Sequence, residues 1–157
     1  MKAIISDFSR TLLFPVDKSY TGSLNQLYSN VVNKPGFNFF NCFAWNQPLA
    51  DLYRGLSEKY KIYIFTTDKI QNDPALIPFL DNIFSGMFTL TNTNGFKKDE
   101  SESYKLLCKK IGLSPSDILY IDDSDINVKA ASRAGLHTIL YSQDKKVDSE
   151  IQKIFIG

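Results

Sequence analysis

The chain has 157 residues, of which 43% are hydrophobic and 22% charged, so it can form one globular domain with a substantial buried core. Its 18 basic and 17 acidic residues give a net charge of +1, which excludes a strong field that would attract nucleic acid or an anionic membrane. No apolar stretch approaches the roughly 20 residues of a membrane-spanning helix, and the N-terminus does not resemble a signal peptide. We therefore expect a cytoplasmic protein that folds as a single domain over residues 1–157.

Five short apolar segments alternate with segments of helical periodicity along the chain. This alternation predicts an α/β fold with a mainly parallel five-stranded sheet between layers of helices. The segments are mostly apolar throughout, as expected of strands that are buried on both faces. The predicted strands are residues 3–6, 62–65, 87–90, 118–121 and 137–141.

Three segments between or after these strands carry apolar residues at helical spacing, and each stripe is expected to face the sheet. Gly135 follows an alanine-rich helical segment, and glycine accepts the left-handed conformation that ends many helices. We therefore expect a helix to end there. The three stripes are Leu49, Leu52, Tyr53, Leu56 and Tyr60; Tyr104, Leu107, Cys108 and Ile111; and Val147, Ile151, Ile154 and Phe155.

Residues 14–48 interrupt this alternation with prolines, glycines and asparagines. The segment is too irregular for a second domain and too aromatic for a disordered linker, so we expect an ordered flap or loop insertion. Its aromatic side chains are expected to pack against the sheet edge, with a recognition surface or a homodimer contact as alternatives. These aromatic residues are Phe37, Phe39, Phe40, Phe43 and Trp45.

Polar residues follow several of the predicted strands, and one lysine precedes a predicted helix. In an open parallel sheet, ligands bind beyond the carboxyl ends of the strands, so these residues are the candidates for a functional site. Asp7 follows the first strand, Thr66 and Thr67 the second, and Asp122 and Asp123 the fourth, while Lys98 stands ahead of the helical stripe that begins at Tyr104.

These residue types suit a site for magnesium and phosphate. Mg²⁺ takes carboxylate, carbonyl and water oxygens and usually shares a phosphate with the substrate, so Asp7, Asp122 and Asp123 are candidate ligands. The hydroxyl of Thr66 and the ammonium of Lys98 would bind the remaining phosphate oxygens. Asp7 would attack phosphorus, and the resulting aspartyl phosphate would divide one difficult displacement into two easier steps.

The order of these residues resembles the four motifs of the haloacid dehalogenase superfamily. The resemblance covers residues 2–13 and about 50–141. It implies a Rossmann-like three-layer sandwich, a Mg²⁺ cofactor and a phosphorylated substrate. The matching residues are Asp7 for the nucleophile, Thr66 for the second-motif hydroxyl, Lys98 for the third-motif lysine, and Asp122 with Asp123 for the fourth motif.

Position 9 departs from the family pattern. Most phosphatases of the family carry a second aspartate two residues after the nucleophile, where it acts as general acid and base, but this chain has Ser9. A contribution of roughly 10²- to 10⁴-fold from general acid-base catalysis would therefore be missing. The metal site is less affected, because the family's ligand at this position is the backbone carbonyl. Asp68 or a carboxylate from a partner chain could reach the place that Ser9 leaves.

Arg10 stands where many relatives have glycine. Together with Thr67 it is a candidate contact for the substrate, since a guanidinium binds phosphate by paired hydrogen bonds. A solvated arginine on the flap is the alternative interpretation.

The spacing of the motifs excludes a full cap domain, because only 58 residues separate Asp7 from Thr66 and 31 separate Thr66 from Lys98. We therefore expect an open site, which suits a bulky or macromolecular phosphoester or closure by a second subunit. The leading hypothesis is a slow Mg²⁺-dependent phosphatase. A binding or regulatory protein that has lost turnover is the main alternative, which Ser9 keeps open. A dehalogenase-type hydrolase is less favoured, since those enzymes enclose their substrate under a helical cap.

Overall fold

A computed structural model describes residues 1–67, 69–143 and 147–155. In chain order its strands are β1 (Ala3–Ser6), β2 (Leu13–Pro15), β3 (Phe43–Trp45), β4 (Lys61–Phe65), β5 (Gly86–Phe88), β6 (Ile118–Asp122) and β7 (His137–Leu140). Its helices are α1 (Leu24–Val31), α2 (Phe39–Cys42), α3 (Gln47–Ser57), α4 (Ile77–Leu80), α5 (Ser101–Ile111), α6 (Asp125–Arg133) and α7 (Val147–Phe155). None of these helices has the length and apolar character needed to cross a bilayer.

The central sheet has the strand order β5-β4-β1-β6-β7, and all of its neighbouring strands are parallel. The α/β fold with a five-stranded parallel sheet is therefore confirmed, and each predicted strand lies within two residues of an observed one. The largest difference is at β5, which ends at Phe88 because Leu90–Thr93 form a single turn of 3₁₀ helix.

The sheet separates two apolar cores. Along β1, Ile4 packs into one core while Ala3 and Ile5 pack into the other, as the alternation of side chains along a strand requires. Helices α3 and α7 cover the first core, and α5 and α6 cover the second. The predicted stripes face these cores except at Ile154, whose side chain is 40% exposed. Gly135 ends α6 with a φ of 93°, as expected.

The segment 14–48 is more regular than the sequence predicts. It contains α1 and α2, and β2 pairs with β3 as an antiparallel ribbon. The rings of Phe39 and Phe43 lie 4.9 Å apart, and both pack around Tyr28 of α1. Leu24 of α1 is buried in the same apolar core as Ile4 of the central sheet. The segment therefore extends that core.

Candidate active site

The candidate residues meet because their strands are neighbours. β1 lies between β4 and β6, and Ser6 is in register with Ile64 on one side and Ile121 on the other. The residues that follow these positions thus reach the same edge of the sheet. The backbone N–H of Asp7 donates to the carbonyl of Ile121 over 2.7 Å, which fixes the start of the first loop against β6.

Lys98 joins two of the candidate carboxylates. Its ammonium contacts Oδ1 of Asp7 and lies 2.9 Å from Oδ2 of Asp122. Its side chain is only 12% exposed, and the ammonium lies 5.4 Å from the centre of the Phe65 ring. Tyr104 of α5 donates to the backbone carbonyl of Lys98 over 2.6 Å. Because an unpaired buried charge is costly, this lysine depends on its two carboxylates.

Lys98 favours the ionised form of Asp7, whereas burial and the charge of Asp122 favour its protonated form. Burial raises the pKa of Asp7 to about 7, because the attraction of Lys98 only partly offsets desolvation and the repulsion of Asp122. Burial by itself would lower the pKa of Lys98, but the two carboxylates outweigh it and raise that pKa. The site thus holds more acidic groups than Lys98 alone can neutralise.

Asp122 accepts from four protein donors. Its Oδ1 accepts from the N–H of Ser124 over 2.8 Å, and its Oδ2 accepts from Lys98, from Asn127 over 3.1 Å and from the hydroxyl of Tyr120. Three of these donors share Oδ2, and within the described residues Oδ1 accepts only from Ser124, so Oδ1 keeps one acceptor position. Asp122 therefore holds Lys98, and its role as a metal ligand stays a prediction.

The next residue, Asp123, is exposed at the rim of the site. Although its surface is accessible, the surrounding protein removes part of its hydration, and this effect together with the charge of Asp122 raises its pKa. Carboxylate oxygens of Asp7, Asp122 and Asp123 all lie within 4.8 Å of one another. This spacing suits a divalent cation, and Asp7 and Asp123 have more free acceptor positions for it than Asp122.

The loop that follows Asp7 is tightly folded. The N–H groups of Leu12 and Leu13 both donate to the carbonyl of Phe8. Arg10 has a φ of 60°, a conformation that favours glycine. The turn brings Thr11 back to Asp7, so that its hydroxyl lies 3.3 Å from Oδ2 of the carboxylate.

A cavity of about 260 Å³ opens above these groups. It brings together seven of the eight candidate residues. Thr66 is instead buried, with its hydroxyl 3.4 Å from the carbonyl oxygen of Thr67, and Asp68 lies outside the described residues. The candidates that line the cavity are Asp7, Ser9, Arg10, Thr67, Lys98, Asp122 and Asp123.

The cavity has further walls that the sequence analysis does not predict. Ser23, Leu24 and Asn25 of the segment 14–48 line it, as does Asn127 of α6. Ser23 had a detectable signal, because a serine followed three residues later by glutamine is a helix-start pattern, and its side chain accepts from the N–H of Gln26. Asn127 carries no such signal in the sequence.

Two side chains fix the segment 14–48 to the site. Asn25 donates to the hydroxyl of Thr67 over 2.8 Å and accepts from the N–H of Ile70 over 3.1 Å. From the other side, Nη2 of Arg10 donates to the carbonyls of Tyr20 and Gly22 over 3.0 and 2.7 Å. Arg10 therefore anchors the flap with one nitrogen while it lines the cavity.

Comparison with known proteins finds relatives among the enolase-phosphatases. Enolase-phosphatase E1 of Aquifex aeolicus is 35% identical over 103 residues, which cover 57% of this chain and 45% of that protein. Enolase-phosphatase E1 of Sulfurihydrogenibium sp. is 33% identical over 98 residues, with coverage of 57% and 41%. The chain thus spans less than half the length of these relatives.

Solved structures share the fold across nearly the whole chain. A HAD family enzyme of Bacteroides thetaiotaomicron, in complex with magnesium and inorganic phosphate, has a TM-score of 0.66 at 16% identity and covers 93% of this chain and 96% of its own. A HAD-superfamily hydrolase of subfamily IA from Geobacter sulfurreducens has a TM-score of 0.70 at 15% identity, with coverage of 99% and 96%. The family model of the haloacid dehalogenase-like hydrolases matches residues 38–135, which is more than half of the chain. The protein therefore belongs to the haloacid dehalogenase-like hydrolase family.

Proposed function

We propose that this protein is a slow Mg²⁺-dependent phosphatase that acts through an aspartyl phosphate on Asp7. The observation that carries the proposal is the buried contact of Lys98 with Asp7 and Asp122, beside the exposed carboxylate of Asp123. Family membership supports a hydrolase, and the relatives named enolase-phosphatases support a phosphate ester as its substrate.

The donor set fits magnesium. Three carboxylates against one ammonium leave an excess of negative charge, and hard oxygen donors are the ligands that this ion prefers. Asp7 and Asp123 would hold it, with the backbone carbonyl of Ser9 as the further protein ligand. Bound there, Mg²⁺ would supply the positive charge that lets an anionic phosphate approach the carboxylates.

The chain's own residues then divide the work. The ammonium of Lys98 counteracts the rise that burial causes in the pKa of Asp7 and is presented to the phosphate. Thr66, Thr67 and Arg10 remain the proposed donors to the other phosphate and substrate oxygens. An oxygen of Asp7 forms a bond to phosphorus as the bond from phosphorus to the ester oxygen breaks. The ester oxygen departs with the electron pair of the broken bond. Water then attacks phosphorus, which releases inorganic phosphate and restores the carboxylate.

Ser9 makes the second step slow. A good leaving group departs without a proton, so the attack by Asp7 scarcely needs a general acid. Water must lose a proton as it attacks the aspartyl phosphate, and the hydroxyl of Ser9 is a poor acceptor near neutral pH. The phosphoenzyme should therefore accumulate.

Acid-quenched mass spectrometry with 4-nitrophenyl phosphate or acetyl phosphate tests this proposal. We expect a burst of phosphate on Asp7 followed by slow turnover, with Ser9→Asp accelerating the slow phase by about 10²-fold or more. Asp7→Asn is the control and should give no label. If Asp7 carries no phosphate in either the wild type or Ser9→Asp while Mg²⁺ raises their melting temperatures, the binding or regulatory alternative would be favoured.

A further inference from the structure

A second cavity, of about 430 Å³, adjoins the candidate active site. We call it the ribbon cavity, because residues of β2 and β3 form much of its wall. Arg10 lines both cavities, so the two spaces meet at this side chain. The residues of the ribbon cavity that matter here are Arg10, Phe14, Val16, Lys18, Ala44 and Trp45.

The ribbon cavity results from the pairing of unequal side chains. Phe14 of β2 stands directly opposite Ala44 of β3 in the antiparallel register. Because residues opposite each other share one face of a ribbon, the methyl group of Ala44 leaves the space beside Phe14 unfilled. Trp45 is the next residue of β3, so its ring points to the other face of the ribbon, where it packs against Phe8 and Phe79 at ring distances of 6.2 and 5.5 Å. The aromatic side chain on the cavity face is therefore Phe14, whose ring lies 6.3 Å from that of Tyr141.

The charge of the ribbon cavity is positive. Among the described residues that line it, Arg10 and Lys18 are basic and none is acidic. The carboxylate of the adjacent Asp17 is engaged by the N–H and hydroxyl of Ser19. Of the three guanidinium nitrogens of Arg10, only Nη2 makes hydrogen bonds within the described chain, so the other two can bind a ligand.

We propose that the ribbon cavity binds the leaving group of the substrate, a flat aromatic ring that carries an acidic substituent. The phosphate would reach Asp7 past Arg10, while the ring lies beside Phe14 and over Ala44 and the acid meets Lys18. A basic leaving group would face the two cations Arg10 and Lys18. The volume lies in the range of small-molecule sites. This inference rests on the proposed phosphatase function and names its substrate class.

Binding of phosphonates tests the inference without turnover, because their carbon–phosphorus bond is not hydrolysed by this chemistry. Calorimetry in millimolar Mg²⁺ would compare 4-carboxyphenylphosphonate, phenylphosphonate and methylphosphonate. We expect the carboxyphenyl compound to bind about 10-fold or more tightly than the methyl compound, because its ring leaves water. Lys18→Gln should weaken the binding of the carboxyphenyl compound alone, so that its affinity approaches that of phenylphosphonate.

A change in the ribbon cavity should remove this preference. Ala44→Gln fills the space opposite Phe14. The affinities of the two aryl compounds should therefore fall toward that of methylphosphonate, and the affinity of methylphosphonate should stay unchanged. Ser132→Gln is the matched control, at an exposed position of α6 across the sheet, and should keep the wild-type ratios. If Ala44→Gln fails to fold, Val16→Gln tests the same space at a side chain that is 49% exposed.

Equal affinities for aryl and methyl phosphonates in the wild type, or a preference that survives both substitutions in the cavity, would overturn the inference. The proposed function is read separately, from phosphate on Asp7. A labelled Asp7 without aryl preference refutes only the ribbon cavity. Aryl preference without any label refutes only the phosphatase, and leaves a protein that binds aryl phosphates.

Discussion

Replacing Lys98 by methionine isolates the energetic role of the buried charge cluster. The substitution keeps the length of the side chain and removes the ammonium that contacts Asp7 and Asp122. The side chains of Asp7 and Asp122 are 7% and 1% exposed, so water cannot readily replace the lost partner. Removing one partner of a buried ion pair typically costs about 3–5 kcal/mol. We expect Lys98→Met to lose about that much of its free energy of unfolding at pH 8 in the presence of EDTA.

The loss should shrink at low pH because Asp7 can take up a proton. Its pKa is already about 7 with Lys98 present, and removal of the ammonium raises it further. The folded state then binds more protons than the unfolded state between pH 3.8 and this raised value, so stability falls as the pH rises through that window. Because pH 8 lies only about one unit above the wild-type pKa of Asp7, the loss at pH 5 should be smaller than that at pH 8 by up to about 1.4 kcal/mol in total.

Urea unfolding at pH 5 and pH 8, followed by circular dichroism, measures both losses. The double variant Asp7→Asn with Lys98→Met is the control, because an amide carries no charge that needs a partner. It should recover much of the stability that the single variant loses at pH 8. An equal loss at both pH values, with no recovery in the double variant, would contradict this electrostatic account. It would instead indicate that Lys98 stabilises the fold through its packing on Phe65.

Two further expectations concern the proposed magnesium site and the hydroxyl of Tyr120. Millimolar Mg²⁺ should raise the melting temperature of the wild type in scanning fluorimetry, because a ligand that binds only the folded state stabilises it. Asp123→Ala should abolish most of that rise, and an undiminished rise would count against Asp123 as a ligand. Tyr120→Phe removes the hydrogen bond to Asp122 and should lower the free energy of unfolding by about 1.5–3 kcal/mol in urea. Tyr104→Phe, which removes a bond to the neutral carbonyl of Lys98, should cost only about 1 kcal/mol, and the reverse order would contradict this reasoning.

The central sheet is predictable from the sequence because its signal is local. Each strand is a short apolar run, and the segments that follow it show helical spacing. The segment 14–48 is less predictable, because α2 has four residues and β2 and β3 have three each. Elements this short have little intrinsic stability and show no clear period. They form because Phe39 and Phe43 are buried against the main core, which is a tertiary effect.

The site is predictable as a set of residues but not in its detailed division of roles. The sequence places Asp122 and Asp123 together, yet successive side chains at a strand end point in different directions. Only the structure shows that Asp122 is occupied by four donors while Asp123 is exposed. The same holds for the threonines, since Thr67 lines the cavity and Thr66 lies buried.

Three buried tyrosines connect this site to the cores on both sides of the sheet. Tyr53 donates to the hydroxyl of Ser6, which donates to the carbonyl of Asp7, while Tyr104 and Tyr120 donate to Lys98 and Asp122. Burial raises the pKa of each tyrosine, so all three remain neutral donors at physiological pH. The three tyrosine hydroxyls therefore keep their protons when the charges of Asp7 and its neighbours change. If a metal and a phosphate bind as proposed, Lys98 and Asp122 would therefore already be held in place by neutral donors.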